Sequence, residues 1–148
     1  SVVAPIKMEF PASLTAVHFL RLKLTRNGET LSENFYWRGL KADNFQALRS
    51  LAKADLSAVT RAEKKGKVWL LTTELSNASK TPALLVRLKA VREKSGDRIL
   101  PAIYSDNYVG LMPGEKRMIR SEVEDADTRG ERPRIVVDGF NLSKVAEK

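Results

Sequence analysis

For chemistry the chain offers one histidine, no cysteine and eighteen Asp and Glu residues, so a reaction would have to run on paired acids or on that single imidazole. Glycoside hydrolysis needs two carboxyls facing each other across a sugar, roughly 5 to 9 Å apart. Glu122 and Glu124 stand two residues apart in a strand-like stretch, which puts both on one face instead of on opposite walls of a cleft. A Gly-x-Ser-x-Gly elbow is missing, and a Ser-His-Asp arrangement would have to recruit His18. That histidine falls on the apolar side of an alternating segment, where it reads as a hydrogen-bonded core or boundary residue. Without cysteine there is neither a disulfide framework nor a thiolate metal site. The acidic run Glu122, Glu124, Asp125 and Asp127 lacks the Asp-x-Asp-x-Asp-Gly loop that makes calcium ligands converge, so it reads as a solvated strand end. No catalytic residue, metal site or cofactor is expected of this chain.

Binding needs fewer constraints than catalysis. Aromatic side chains stack on sugars as readily as they fill cores, and the candidates are Phe35-Tyr36-Trp37, Trp69, Tyr104, Tyr108 and Phe140. Most lie within or beside strand-like stretches, where packing in a core or between domains is expected. Tyr104 and Tyr108 flank a loop, Ser105-Asp106-Asn107, and can present a ring outward. Tyr104, Asp106, Asn107 and Tyr108 are therefore the substrate-proximal candidates. The net charge of +8 invites a nucleic-acid partner, but the basic residues are dispersed. Only Arg61, Lys64, Lys65 and Lys67 form a dense group, next to Gly66, and that group reads as a solvated hairpin end. No apolar run approaches the ~18 residues of a membrane-spanning helix, so neither nucleic acid nor membrane is expected as a partner.

The elements that must position these residues are nearly all strands. From Val17 to Thr25, His18, Leu20, Leu22 and Leu24 alternate with Phe19, Arg21 and Lys23, the two-residue period of a half-buried strand. Asn27-Gly28 then supplies a hairpin turn, and Thr30 to Trp37 returns. Asp43 is a candidate N-cap for a short helix carrying Phe45, Leu48, Leu51 and Ala52. Strands resume at Leu56–Arg61, Val68–Leu75, Ala83–Arg92, Ile99–Tyr104, Lys116–Glu124 and Arg134–Val137, with Pro101 placed for an edge or bulge. Met112-Pro113-Gly114-Glu115 has the composition of a type II turn. Many short strands and one short connecting helix predict an all-β, antiparallel sandwich.

Four segments, in order, resemble the C-terminal region of glycoside hydrolase family 2 enzymes of the β-mannosidase and exo-β-glucosaminidase type. They are FLRLKLTRNGETLSENFYW from Phe19 to Trp37, Leu75-Ser76-Asn77-Ala78-Ser79 with the strand LLVRLKAV after it, ILPAIYSDNYVGLMPGEKRMI from Ile99 to Ile119, and PRIVVDGFN from Pro133 to Asn141. The resemblance implies an immunoglobulin-like β-sandwich over residues 54–148, a connector over 41–53, and strands over 1–40 that form the tail of a preceding immunoglobulin-like domain. It further implies a non-catalytic accessory domain that buttresses a (β/α)₈ barrel lying outside this chain, with a loop near the substrate entrance. The implied partners are the other domains of the parent enzyme and its glycan substrate, and the implied location is periplasmic or secreted. A free-standing carbohydrate-binding module and a basic nucleic-acid-binding protein are the rival readings. If the preceding domain is truncated, its hairpin has lost its partners, so pairing of two chains through exposed strands is a further expectation.

Overall fold

The structure, a computed structural model, describes residues 9–41 and 44–147. The chain divides into two compact units between Leu51 and Ala52. Asp43, the candidate N-cap, lies outside the described residues.

In the first unit β1 (Val17–Arg26) and β2 (Glu29–Gly39) pair antiparallel, Phe19 opposite Trp37 and Arg21 opposite Phe35. Asn27 and Gly28 take φ of +52° and +81°, the two positive angles that let a two-residue turn follow the twist of a hairpin. The expectation that the leucine side of β1 is half-buried holds for His18 and Leu20 and is corrected for the far end of the strand. Leu22 and Leu24 are exposed, whereas the opposite face carries Phe19 stacked on Phe35 at 5.3 Å and edge-on to Trp37 at 5.6 Å. Flat rings on adjacent strands gain contact area from one another that branched aliphatics at a free edge do not. The expected helix is one 3-10 turn, Gln46–Ser50, which buries Leu48.

The second unit is a sandwich of two sheets. Its strands are β3 (Ala54–Lys65), β4 (Val68–Asn77), β5 (Ala83–Arg92), β6 (Ala102–Tyr104), β7 (Val109–Leu111), β8 (Lys116–Glu124), β9 (Pro133–Asp138) and β10 (Leu142–Glu147). One sheet runs β10-β3-β4-β8-β6, the other β7-β5-β9. All pairings are antiparallel except β10 with β3. Alternation along the strands builds the core: Leu71 and Leu75 of β4 and Ile119 of β8 pack with Ala83, Val86 and Leu88 of β5 and Leu111 of β7, all essentially inaccessible, the register of β5 shifting between Ala83 and Val86. Each such side chain contributes roughly 1.5–3 kcal/mol on burial.

Gly66, at φ +62°, takes the first place of the two-residue turn between β3 and β4. Pro113 and Gly114 form the foreseen turn before β8, with Gly114 at φ +77° and the Glu115 N–H bonded to the Met112 carbonyl at 3.0 Å. The strand expected over Ile99–Tyr104 is shorter: the Leu100–Pro101 peptide is cis, and pairing begins only at Ala102, on the edge of the larger sheet. Proline has no N–H for the ladder, so the chain bends before it pairs. Two strands, β7 and β10, were not foreseen.

Candidate functional site

The four loop candidates have separate fates. Tyr104 is half-buried against the core, and its hydroxyl accepts the Ala90 N–H at 2.8 Å. Asp106 is exposed; its carboxylate accepts from Arg117 at 3.1 Å and from the N–H of Asn107 at 2.8 Å. Asn107 turns inward to β5, where its Oδ1 receives the Leu88 N–H at 2.8 Å and its Nδ2 donates to the Leu88 carbonyl at 3.1 Å. A primary amide thus takes the place of a strand residue and satisfies both backbone groups of its partner. Tyr108, at φ +56°, is the one of the four whose ring stands in solvent, 58% exposed.

The asparagines of the other motif segments do similar work. Asn77, fully buried, donates to the carbonyls of Thr81 and Leu111 and accepts the N–H of Ser79, which pins the loop after β4. Asn141, 2% exposed, accepts the Leu84 N–H at 2.9 Å and donates to the carbonyls of Ala52 and Pro82 at 3.0 and 2.7 Å. Gly139 lies so close to β5 that a Cβ there would stand 3.2 Å from the Leu84 carbonyl and 3.0 Å from the Leu142 side chain. Phe140, between them, points outward and is 47% exposed, so of the two expectations for it packing in this core does not hold.

The acids do not converge. Glu122 and Glu124 stand exposed on the same side of β8, as their spacing requires. Asp125 accepts the Lys64 ammonium at 2.7 Å and the Trp69 indole N–H at 2.8 Å; Lys64 first, then Trp69, hold its carboxyl below the ordinary range. Lys64 also lies over the Trp69 ring at 5.9 Å, so the basic hairpin end and the acidic run fold onto each other. An open groove of about 380 Å³ between β3 and β9 is lined by Glu93 and Glu147 together with Arg132 and Arg134. Glu147 there receives the Val137 N–H at 3.0 Å and Arg134 at 3.4 Å, so its lone pairs serve the fold. Among the described residues, no group of three or more His, Asp or Glu is placed to hold a metal. His18 packs edge-on against Phe10 at 6.0 Å, and its Nδ1 is buried without a hydrogen bond.

The strongest electrostatic feature joins β5 to β9. Arg87 is forked on Asp138 at 2.8 and 2.6 Å, and Lys89 reaches the same carboxylate at 2.9 Å. Arg87 foremost, with Lys89, pushes the Asp138 carboxyl down to about 2, and the guanidinium is raised by Asp138 and by the Tyr108 side chain. Nothing in the sequence marked this cluster beyond the outward alternation of Arg87 and Lys89.

Residues 34–142 match the profile of the exo-β-D-glucosaminidase immunoglobulin-fold domain. The chain belongs to this family. Its two-sheet core is thus an immunoglobulin-like sandwich. The exo-β-D-glucosaminidase of Hypocrea jecorina is 32% identical over 91% of this chain, and that of Streptomyces avermitilis 27% over 90%. In both the chain spans 17% of the relative's length. The crystal structure of Amycolatopsis orientalis exo-chitosanase superimposes with a TM-score of 0.82 at 25% identity, covering 89% of this chain and 18% of that one. These relatives support the exo-β-glucosaminidase half of the expected resemblance and lend none to the β-mannosidase half.

Proposed function

We propose that this chain is the non-catalytic C-terminal accessory segment of a larger glycoside hydrolase of family 2, of the exo-β-D-glucosaminidase type, and that it buttresses the catalytic barrel of that enzyme. The observation that carries the reading is the family match combined with the small share of each relative that the chain spans. The use of Asn77, Asn107 and Asn141 as backbone braces supports it, because these residues of the segments that carry the family resemblance stiffen loops here. That the loop of Tyr104, Asp106, Asn107 and Tyr108 lies near the substrate entrance belongs to the same proposal; Tyr104 and Asn107 also bond β5, Asp106 pairs with Arg117, and Tyr108 is exposed. A periplasmic or secreted location belongs to the same proposal.

The first unit supports its reading as the tail of a preceding domain. A lone two-stranded sheet is marginal in water, and this one exposes Leu22, Leu24, Leu31 and Tyr36. If the hairpin belongs to a preceding domain whose other strands are removed, the chain is expected to self-associate through these edges, which sedimentation at several concentrations reads directly. The activity test is an assay of the chain alone and of its full-length parent on an aryl β-D-glucosaminide. Turnover by the parent and none by the chain is expected; hydrolysis by the purified chain would overturn the reading.

A further inference from the structure

The outer surfaces of the two sheets both expose apolar side chains, Val59, Ile103 and Met118 on the five-stranded sheet among them, and differ in how their charges are partnered. On the five-stranded sheet Lys116 pairs with Glu74, but Arg61 and Arg120 lie on either side of Thr72 in register, and among the described residues neither guanidinium has a side-chain partner. Covering that face would strip water from two uncompensated charges. On the β7-β5-β9 sheet, Arg87 and Lys89 are both held by Asp138, and Arg134 pairs with Glu147 at 3.4 Å. Charges already closed on one another lose much less when a second surface excludes water.

Around those pairs stand three apolar side chains, Leu85, Tyr108 and Phe140, exposed by 41%, 58% and 47%. The pairing of Val86 with Val109 sets Tyr108 beside Arg87, Leu85 lies two residues before Arg87, and Phe140 lies two residues after Asp138 with its N–H bonded to the Leu84 carbonyl at 3.0 Å, so all three adjoin the ion pair along the chain or across the register. Leu85 and Tyr108 also have φ of +50° and +56°, a region that costs a bulky residue about 1–3 kcal/mol. In both cases the strained backbone holds an apolar side chain in solvent, where it gains nothing from burial. Aromatic anchors amid neutralised charge are the composition of an interface core.

We propose that the outer face of β7-β5-β9, anchored by Tyr108 and Phe140, is the surface that packs against the remainder of the parent polypeptide. The occupant is an apolar surface of that same polypeptide, and the inference rests on the reading that this chain is a segment of a larger glycosidase. The relatives, of whose length the chain spans 17%, supply the argument for it: most of such a polypeptide lies outside this chain and is held next to it at high effective concentration.

The test is hydroxyl-radical footprinting of the wild-type chain alone and of its full-length parent, read by mass spectrometry at Tyr108 and Phe140, with Met118 and Ile103 of the opposite sheet as references. Because an interface core is packed as densely as a protein interior, Tyr108 and Phe140 are expected to react about tenfold more slowly in the parent, and Met118 and Ile103 to change less than about twofold. Protection of another face with Tyr108 and Phe140 unchanged overturns the proposal and leaves the accessory reading standing. Protection of no face overturns both. Protection of Tyr108 that arises only when glucosamine oligosaccharides are added makes the face a sugar subsite and overturns the proposal as well.

Discussion

The side-chain amide of Asn107 meets both backbone groups of Leu88, 19 residues away, and so splices the loop after β6 onto β5 as if it were one more strand residue. A residue of the loop expected near substrate thus acts as a peptide-bond mimic. Asn107→Ala is expected to leave the Leu88 N–H and carbonyl unsatisfied and to cost about 2 kcal/mol in urea unfolding. Asn107→Asp retains an acceptor for the N–H but sets a carboxylate against the carbonyl, so it should recover none of the loss. A stability unchanged by both variants would show that the splice is dispensable.

Asn141 holds three backbone groups, on Leu84, Ala52 and Pro82, in a place water does not reach. Asn141→Ala should destabilise the sandwich by about 3 kcal/mol, more than the Asn107 variant, because three partners are orphaned in the interior. Thermal unfolding followed by circular dichroism decides the ranking.

Asp138 titrates at about 2 in the folded chain, below the ordinary carboxylate value of 3.8, because Arg87 and Lys89 favour its charged form. A lowered folded pKa means that the stabilisation is complete above about pH 4 and is lost as pH falls towards 2. Asp138→Asn removes this dependence, so the stability gap between wild type and variant should narrow across that window. A gap that stays constant from pH 5 to about 2 would mean that the pair contributes no titratable stability. The outer position of the pair, partly open to solvent, keeps the expected effect small.

Trp69 donates its indole N–H to Asp125 while its ring packs on the core beneath Lys64. Asp125→Ala should lower the stability slightly, because the indole N–H loses its acceptor at a solvent-open position. It should also shift the Trp69 emission, a change that Trp37→Phe in the same background isolates to this residue. Emission and stability both equal to wild type would refute the contact.

Tyr104→Phe deletes the acceptor of the Ala90 N–H while keeping the ring. A loss of about 1 kcal/mol is expected, with the KM of the full-length enzyme unchanged. A raised KM at wild-type stability would return Tyr104 to the substrate.

The sequence by itself determined the all-β class, both hairpins and the turn at Pro113-Gly114, because each depends on neighbours along the chain: alternation over a few residues, or a glycine where φ must be positive. It also determined that Glu122 and Glu124 share one side of a strand, since the pleat has a period of two. Tertiary structure decided what distance in sequence conceals. Leu142–Glu147 becomes a strand by adding in parallel to β3, nearly ninety residues earlier, and its own residues carry little alternation to announce it. Leu22 and Leu24 of β1 were misread as half-buried: the rings that meet, Phe19 with Phe35 and Trp37, lie on the other face, and the leucines at the turn end are left in solvent. Asn77, Asn107 and Asn141 are legible as motif residues but not as braces, because the groups they bond lie up to 89 residues away and are brought near only by the register of the sheets. The Arg87, Asp138 and Tyr108 cluster arises in the same way: 51 residues separate the ion pair, and the pairing of β5 with β9 is what turns two ordinary charges into one closed site on an exposed face.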